Sequence, residues 1–295
     1  MKQFYILLTS LICLSCNLKA VTIQKLKQEQ GLSNNYVVGI MQDRQGILWI
    51  ATRSGLNRFN GHEFRVFNKE EGNSINSDEL NAVYADPKDD RIWIATSRCG
   101  LSVFDCRSFK FTNYVNEPGN AFSLAYNGPT DIKGDSKGNL WIATYNGGID
   151  YFDKQSRKFI HYNRSNVKGL SSNMVWSISD DHHGNLYVAH ESDGISVLSI
   201  KKRIARNFRH NPKDPMSLPD NTVPCVFIDS HKNVWIGTAN GLALFNPHLE
   251  KFIVFRNNPH KANTLSNNFI SSLGETRDGK LLIGTVLGGL NILDL

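Results

Sequence analysis

A short phrase recurs six times along this sequence of 295 residues and constrains the fold more than any other feature. An aromatic residue in an apolar run is followed, in most copies, by a threonine, two or three variable residues and a glycine, as in WIATRSG from Trp49. Successive copies lie 44 to 48 residues apart. A repeat of this length is typical of architectures in which each copy is one supersecondary unit. The anchor positions are Trp49, Trp93, Trp141, Tyr187 and Trp235, with Leu282 in the last copy.

Each repeat contains four short apolar runs separated by turn residues. In the first copy the runs are Val37 to Met41, Ile47 to Thr52, Leu56 to Phe59 and Phe64 to Phe67. The segment DRQG, from Asp43, has the aspartate and glycine of a hairpin turn. Four strands per unit, repeated around a ring, form the blade of a β-propeller. We therefore predict an all-β propeller of six recognisable four-stranded blades over residues 21–295.

The recurring aromatic anchors are predicted to be structural. Because one occurs at the same place in almost every repeat, packing between blades explains them better than a single ligand site does. The last copy stops at Leu295 before its fourth run, while Val21 to Leu26 alternates without a partner in its own repeat. This N-terminal strand is a candidate to complete the last blade and cover both sheet edges. A seventh blade lost by truncation would instead leave an open arc.

The first twenty residues have the pattern of a secretory signal peptide. Lys2 precedes the apolar run Phe4 to Leu14, and small and polar residues lead to Ala20. Lipidation at Cys16 is the alternative reading of this leader. No later segment approaches the roughly 20 apolar residues of a membrane span. We therefore expect export, with no membrane span in this chain.

The remaining composition favours neither a metal nor a cofactor. Outside the leader the cysteines are odd in number and irregularly spaced, and the histidines lack the spacing of metal ligands. The net charge is +6, with its densest run at Lys201 to His210. That run suits an exposed outer strand protected by charge, and attraction of an acidic polysaccharide is the alternative. Nucleic acid is not expected as a partner of an exported chain.

Three motifs together resemble the two-component regulator propeller repeat. They are GLSNNYV from Gly31, the phrase D-x-x-G-x-L-W-I-[AG]-T-x-x-G-L, and the ending F-x-x-[FY]. The resemblance covers Val21 to Leu295 and implies the N-terminal periplasmic sensor region of a Bacteroidetes hybrid two-component system, truncated. Such sensors usually have two seven-bladed propellers before a β-sandwich, a membrane helix, a histidine kinase and further modules. Members of this family sense oligosaccharides, so the resemblance implies an oligosaccharide ligand, with a second propeller or a partner sensor subunit as a further candidate partner.

Catalysis is the competing functional class, because many propellers are glycosidases or lyases. The D-x-x-G-x-L-W turn resembles the Asp-box of sialidases, but Asp43 stands six residues before its aromatic residue and suits a hairpin turn. Glycoside hydrolysis needs two opposed carboxylates, and nothing in the sequence pairs Glu79, Asp131 or Glu191. We expect no catalytic residue. A glycan-active propeller enzyme and a protein-binding scaffold remain the alternatives.

Ligand binding is predicted on the face where two sets of loops open. These loops precede the innermost strand and connect the second strand to the third. Positions that vary between copies of a constant frame are candidates for reading a ligand. After the second strand they are Arg53, Arg98, Tyr145, Asn146, His190 and Glu191. Before the first strand they are Asn35, Tyr36, Tyr126, Asn127, Trp176 and Asn221.

Overall fold

The computed structural model describes residues 25–295, which form six antiparallel sheets in chain order. Five sheets have four strands, the last has three, and neighbouring strands follow one another along the chain. The predicted six-bladed propeller is confirmed. Across residues 25–295 there is no helix long and apolar enough to cross a membrane. The predicted signal peptide lies outside the described residues.

The strands of the first three blades follow a 3-10 turn at Gln28–Gln30. Blade 1 contains β1 (Val37–Gln42), β2 (Leu48–Thr52), β3 (Gly55–Phe59) and β4 (Phe64–Phe67). Blade 2 contains β5 (Leu80–Ala85), β6 (Arg91–Thr96), β7 (Leu101–Asp105) and β8 (Lys110–Tyr114). Blade 3 contains β9 (Pro129–Gly134), β10 (Leu140–Thr144), β11 (Gly148–Asp153) and β12 (Lys158–Tyr162).

The other three blades continue the same order. Blade 4 contains β13 (Val175–Asp180), β14 (Asn185–His190), β15 (Ile195–Ser199) and β16 (Ile204–Phe208). Blade 5 contains β17 (Cys225–Ile228), β18 (Val234–Thr238), β19 (Gly241–Asn246) and β20 (Lys251–Phe255). Blade 6 contains β21 (Ile270–Glu275), β22 (Leu281–Thr285) and β23 (Gly289–Leu293).

The second strand of a blade lies inside the ring wall and is buried on both faces. Every residue of β10, which reads LWIAT, is buried, and the same is true of β18, which reads VWIGT. Because a neighbouring blade covers each face, such strands are apolar along their whole length. This explains why the anchor phrase is the most regular part of the repeat.

The aromatic anchors pack between blades. Trp49 of blade 1 shares an apolar cluster with Ile92 and Phe104 of blade 2, and Trp93 of blade 2 shares the next with Phe152 of blade 3. The pattern continues around the ring. All five anchors are at most 5% exposed. The main cores of this propeller therefore lie between its blades.

The hairpin-turn aspartates bond their own turns, as the sequence indicated. The Asp43 carboxylate accepts the backbone N–H groups of Gln45 and Ile47, at 2.9 and 3.0 Å. Its second oxygen accepts the indole N–H of Trp49 at 2.8 Å. Asp229 bonds Trp235 in the same way in blade 5, so in these two blades the carboxylate ties the turn to the anchor of its own blade. In blade 3 the indole of Trp141 donates instead to Asp180 of blade 4, at 3.1 Å.

The seam between blades 6 and 1 is packed differently from the others. Among residues 25–295, the apolar clusters join each blade to the next but not blade 6 to blade 1, which meet where Arg277 donates to Gln42 at 3.5 Å. Leu290 and Ile292 of β23 are each 62% exposed. Of the strand proposed to complete blade 6, residues 21–24 lie outside the described residues, and Leu26 is not in a strand.

Candidate functional site

A β-bulge recurs at the second residue of the inner strand. The pairing of the first two strands shifts register there in blades 1, 2, 3, 4 and 6. A bulge inserts one residue and re-aims its side chain. The residues at this position are Val38, Asn81, Thr130, Trp176 and Ser271, and Pro224 occupies the corresponding place directly before β17.

One open cavity of about 820 Å³ lies where these bulges meet the loops after the second strands. The bulge position contributes Asn81, Thr130, Trp176 and Pro224, from blades 2 to 5. The other lining residues come from loops and crossing segments of blades 1 to 3. They are Arg53, Ser97, Arg98, Asn116, Tyr126, Asn127, Gly128 and Tyr145.

Backbone hydrogen bonds hold the loop between the second and third strands rigidly. In blade 2, the Thr96 hydroxyl donates to the Gly100 carbonyl at 2.6 Å, and the Gly100 N–H donates to the Asn127 carbonyl at 2.8 Å. Gly100 has a φ of +85°, and a Cβ there would collide with the backbone carbonyl of Tyr114. Only glycine fits this close approach in the left-handed region. These contacts fix the backbone of the loop, and with it the positions from which its side chains project.

The bulge side chains join neighbouring blades at the cavity wall. The Asn81 amide donates to the Pro129 carbonyl of blade 3 at 2.9 Å. The Thr130 hydroxyl donates to the Val175 carbonyl of blade 4 at 2.7 Å. Each side chain thus donates one hydrogen bond to the inner strand of the next blade. The side-chain oxygen of Asn81 accepts a hydrogen bond from Arg53 at 3.4 Å. The wall is thus rigid and polar at once.

Three aromatic side chains face the cavity from blades 3 and 4. Tyr126 and Tyr145 are 40% and 39% exposed, and Trp176 is half-buried. The Tyr145 hydroxyl lies 3.3 Å from a carboxylate oxygen of Glu191 on blade 4. That negative charge raises the pKa of Tyr145, which keeps the phenol protonated as a hydrogen-bond donor. These rings provide flat apolar surfaces with polar edges.

Comparisons with known proteins agree with this architecture. The family described as two component regulator propeller matches residues 31–54, 123–146 and 217–240. Three segments of this chain, in blades 1, 3 and 5, therefore match this repeat family. It is 40% identical to the extracellular domain of a hybrid two-component system of B. thetaiotaomicron, with a TM-score of 0.82 over 92% of this chain. The chain spans about a third of that protein, 35% of its length.

Two further comparisons are more limited. The extracellular domain of a one-component system of B. thetaiotaomicron is 22% identical over 92% of this chain and 36% of that chain, with a TM-score of 0.73, and shows the fold alone. A segment of 47 residues is 49% identical to Histidine kinase P4 of Formosa agariphila, over 15% of this chain and 3% of that protein. This chain is homologous to the extracellular domain of a two-component system.

Within these two-component regulator propeller repeats, three predicted ligand residues occupy a framework position. The side-chain oxygens of Asn35, Asn127 and Asn221 accept backbone N–H groups at 3.1, 2.6 and 2.8 Å. Asn173 and Asn268 do the same in other repeats, at 2.8 and 2.7 Å. The expectation that this position varies between copies was wrong. Of the three, only Asn127 also lines the cavity.

His190 was predicted as an exposed loop residue, and the structure corrects this. Its side chain is completely buried, at the place where the other repeats have the threonine of the anchor phrase. Nε2 lies 2.8 Å from the Ser196 hydroxyl, while Nδ1 has no partner among the described residues. Burial lowers the pKa of His190 to about 4. The imidazole is therefore neutral and belongs to the interior of blade 4.

The other predicted residues divide between the cavity and its surroundings. Those that line the cavity are Arg53, Arg98, Tyr126, Asn127, Tyr145 and Trp176. Tyr36 is 63% exposed beside Arg53, whose guanidinium lies 5.6 Å from the centre of its ring. Asn146 is exposed next to Tyr145. The structure adds lining residues that the sequence interpretation missed, namely Asn81, Ser97, Asn116, Gly128, Thr130 and Pro224.

Proposed function

We propose that this chain is the ligand-sensing propeller of a hybrid two-component regulator, exported to the periplasm by residues 1–20, and that the cavity binds an oligosaccharide. The observation that carries the proposal is the convergence of Tyr126, Tyr145 and Trp176 on one polar cavity. Homology to an extracellular domain of such a system supports the sensing role.

The composition of the wall suits a carbohydrate. Aromatic faces stack against the apolar C–H faces of sugar rings, and side-chain amides such as those of Asn81 and Asn116 exchange directional hydrogen bonds with hydroxyls. The volume of about 820 Å³ lies within the range of roughly 300 to 1,000 Å³ usual for small-molecule sites. The cavity can therefore hold a short oligosaccharide.

The contacts of the carboxylates near the cavity favour binding of the sugar without catalysis. None of the described lining residues carries a carboxylate. Glu79 pairs with Arg53 at 3.0 Å, and Asp131 accepts the Ser177 hydroxyl at 2.9 Å. Glycosidases require two opposed carboxylates across the scissile bond, and this wall offers no such pair among residues 25–295.

Signalling requires a second conformational state. A ligand shifts an equilibrium only as far as it binds one state more tightly than the other. In the proposed regulator, the two states are arrangements of this propeller relative to a second propeller or a partner sensor subunit. Ligand in the cavity would bridge blades 1 to 4 and favour one arrangement.

Tryptophan fluorescence tests the proposal directly. Trp176 is half-buried at the cavity, whereas the other four tryptophans are at most 2% exposed. We expect a saturable fluorescence change when one class in a panel of oligosaccharides is titrated, with the sugar recovered intact. The Trp176→Ala variant lacks this reporter, so its binding is measured by isothermal titration calorimetry beside the wild type. It should bind that sugar at least about tenfold more weakly, because one aromatic anchor is lost.

The matched control is Phe122→Ala, which removes an aromatic ring that is 53% exposed and is not among the lining residues. This variant should bind as the wild type does. Recovery of cleaved sugar would replace sensing by catalysis. Absence of binding across the panel, in a protein that unfolds cooperatively, would overturn the proposal.

A further inference from the structure

We propose that the sugar bound in this cavity is acidic, and that Arg98 binds its carboxylate or sulfate group. This inference rests on the proposed function and deepens it. It starts from the charge of the cavity wall, which contains the guanidinium groups of Arg53 and Arg98 and, in the described residues, no carboxylate.

The two arginines are in different situations. Arg53 donates to Glu79 at 3.0 Å and to Asn81 at 3.4 Å, so protein groups already occupy much of its hydrogen-bonding fork. Arg98 is exposed and forms no ion pair or side-chain hydrogen bond within residues 25–295. The guanidinium group of Arg98 is therefore available to bind a ligand in the cavity.

An exposed arginine is often only solvated. Arg98 differs in its ion pairing from the arginines of the densest basic run. Within Lys201 to His210, Arg206 pairs with Glu250 and Arg209 pairs with Asp193. Those cations are neutralised by their own protein. Arg98 instead lines a concave site without an acidic partner, while Arg53, the other charged lining residue, is paired with Glu79.

The loop that carries Arg98 is preorganised. On one side the Ser97 N–H donates to the Glu79 carbonyl at 2.8 Å, and on the other the Cys99 N–H donates to the Thr96 hydroxyl at 3.1 Å. The Asn76 amide donates to the Cys99 carbonyl at 3.0 Å. Only the side chain needs ordering when a ligand binds, which lowers the entropic cost of the contact.

The charge around the cavity is polarised from blade to blade. Cationic side chains stand on the loops of blades 1 and 2, while blade 4 presents Glu191 beside Tyr145. A planar guanidinium forms paired hydrogen bonds with a carboxylate and bonds sulfate oxygens strongly, whereas a neutral sugar hydroxyl offers one uncharged oxygen and a weaker contact. An acidic sugar would thus lie with its anionic group at blade 2 and its rings toward the aromatic residues of blades 3 and 4.

The test is isothermal titration calorimetry of the purified protein with trigalacturonate and its carboxyl-reduced counterpart, which differ only in the acidic group. A sulfated neutral galactan trisaccharide and its desulfated form provide the sulfate arm. We expect the acidic member of at least one pair to bind more tightly, with an affinity that falls as salt is added.

Arg98→Gln should weaken binding of the acidic sugar by about tenfold to a hundredfold, the usual worth of a hydrogen bond to a charged group, and leave the neutral counterpart unchanged. Lys202→Gln is the matched control, because it removes the same charge from an exposed turn between β15 and β16. This control should bind as the wild type does.

The possible outcomes distinguish failure of the acidic preference from failure of the proposed sensing function. Equal binding of acidic and neutral members would overturn the acidic preference and leave oligosaccharide sensing intact. Equal weakening by Arg98→Gln and Lys202→Gln would overturn the contact with Arg98 and indicate long-range attraction alone. Failure of every sugar in both arms and in the wider panel would overturn sensing as well.

Discussion

His190 provides the sharpest test of the packing, because it buries an imidazole where the other repeats bury a threonine. Burial lowers its pKa from 6.5 to about 4 in the folded chain. Between about pH 4 and pH 6.5, His190 is protonated in the unfolded chain and neutral in the folded chain. The contribution of His190 to stability is therefore complete above pH 6.5 and is lost progressively as the pH falls toward 4.

The magnitude follows from the separation of the two pKa values. Each pH unit between them corresponds to about 1.4 kcal/mol of unfolding free energy. Relative to neutral pH, His190 should cost about 1 kcal/mol at pH 5.5 and roughly 2–3 kcal/mol at pH 4.5. In the variant His190→Thr this loss should disappear, since threonine does not titrate.

The assay is urea unfolding of both proteins at pH 7.5, 5.5 and 4.5. Groups that titrate in both proteins cancel in the difference; one is His161, whose pKa is raised by its hydrogen bond to Asp150. The smaller threonine leaves a void, which shifts the variant's stability by a constant amount at every pH. Parallel losses of stability in the two proteins, or an NMR titration of His190 near pH 6.5, would refute the reasoning.

Two further pairs of variants test the framework by urea unfolding. Trp235→Phe breaks an indole hydrogen bond of 2.8 Å to a buried hairpin carboxylate, whereas the buried indole N–H of Trp93 has no partner among the described residues. We expect Trp235→Phe to cost about 1–3 kcal/mol more than Trp93→Phe, and equal costs would contradict the role of the carboxylate. Gly100→Ala forces a Cβ into a backbone carbonyl at a φ of +85°, while Gly184→Ala at +102° meets open space. The first should cost clearly more than the roughly 1–2 kcal/mol of the second, and similar unfolding midpoints would show that the turn relaxes.

The fold was predictable because six copies report the same pattern. A single copy such as Ile47 to Thr52 is a short apolar run that fits a strand or a buried helix segment equally well. Six copies spaced 44 to 48 residues apart, with an aspartate before the anchor in most of them and a glycine after it, fit the blade of a propeller. Each strand predicted in the first repeat lies within one residue of its observed bounds.

The cavity was less predictable because a bulge leaves almost no trace in a hydrophobic pattern. Asn81 and Thr130 reach the cavity since one additional residue is inserted in each inner strand, and a shift of one residue changes the face to which a side chain points. Simple alternation assigns them to a generic strand. For Asn81 the visible signal is a polar residue placed second in an otherwise apolar run; the strand of Thr130, PTDIKG, lacks even that.

The framework asparagines show the opposite error, in which a conspicuous polar loop residue is not a ligand residue. Asn35 and Asn221 are polar residues in exposed loops, as ligand-binding residues often are, yet their side-chain oxygens accept backbone N–H groups. Aligning the six copies on the leucine, or isoleucine in the second copy, that precedes each inner strand places an asparagine or aspartate at this position every time. A residue that recurs in all copies cannot distinguish one blade from another.

The same alignment explains why Tyr126 belongs to the site. At its position the other repeats have Asn34, Ser77, Ser172, Asp220 and Asn267, each of which accepts the backbone N–H two residues ahead. Blade 3 gives up that turn-stabilising bond and gains an aromatic ring at the cavity. Because Tyr126 costs the turn a hydrogen bond, its presence is best explained by a role of the aromatic ring in the cavity. Because the three aromatic lining residues all come from blades 3 and 4, the cavity wall is asymmetric and is expected to bind an asymmetric ligand.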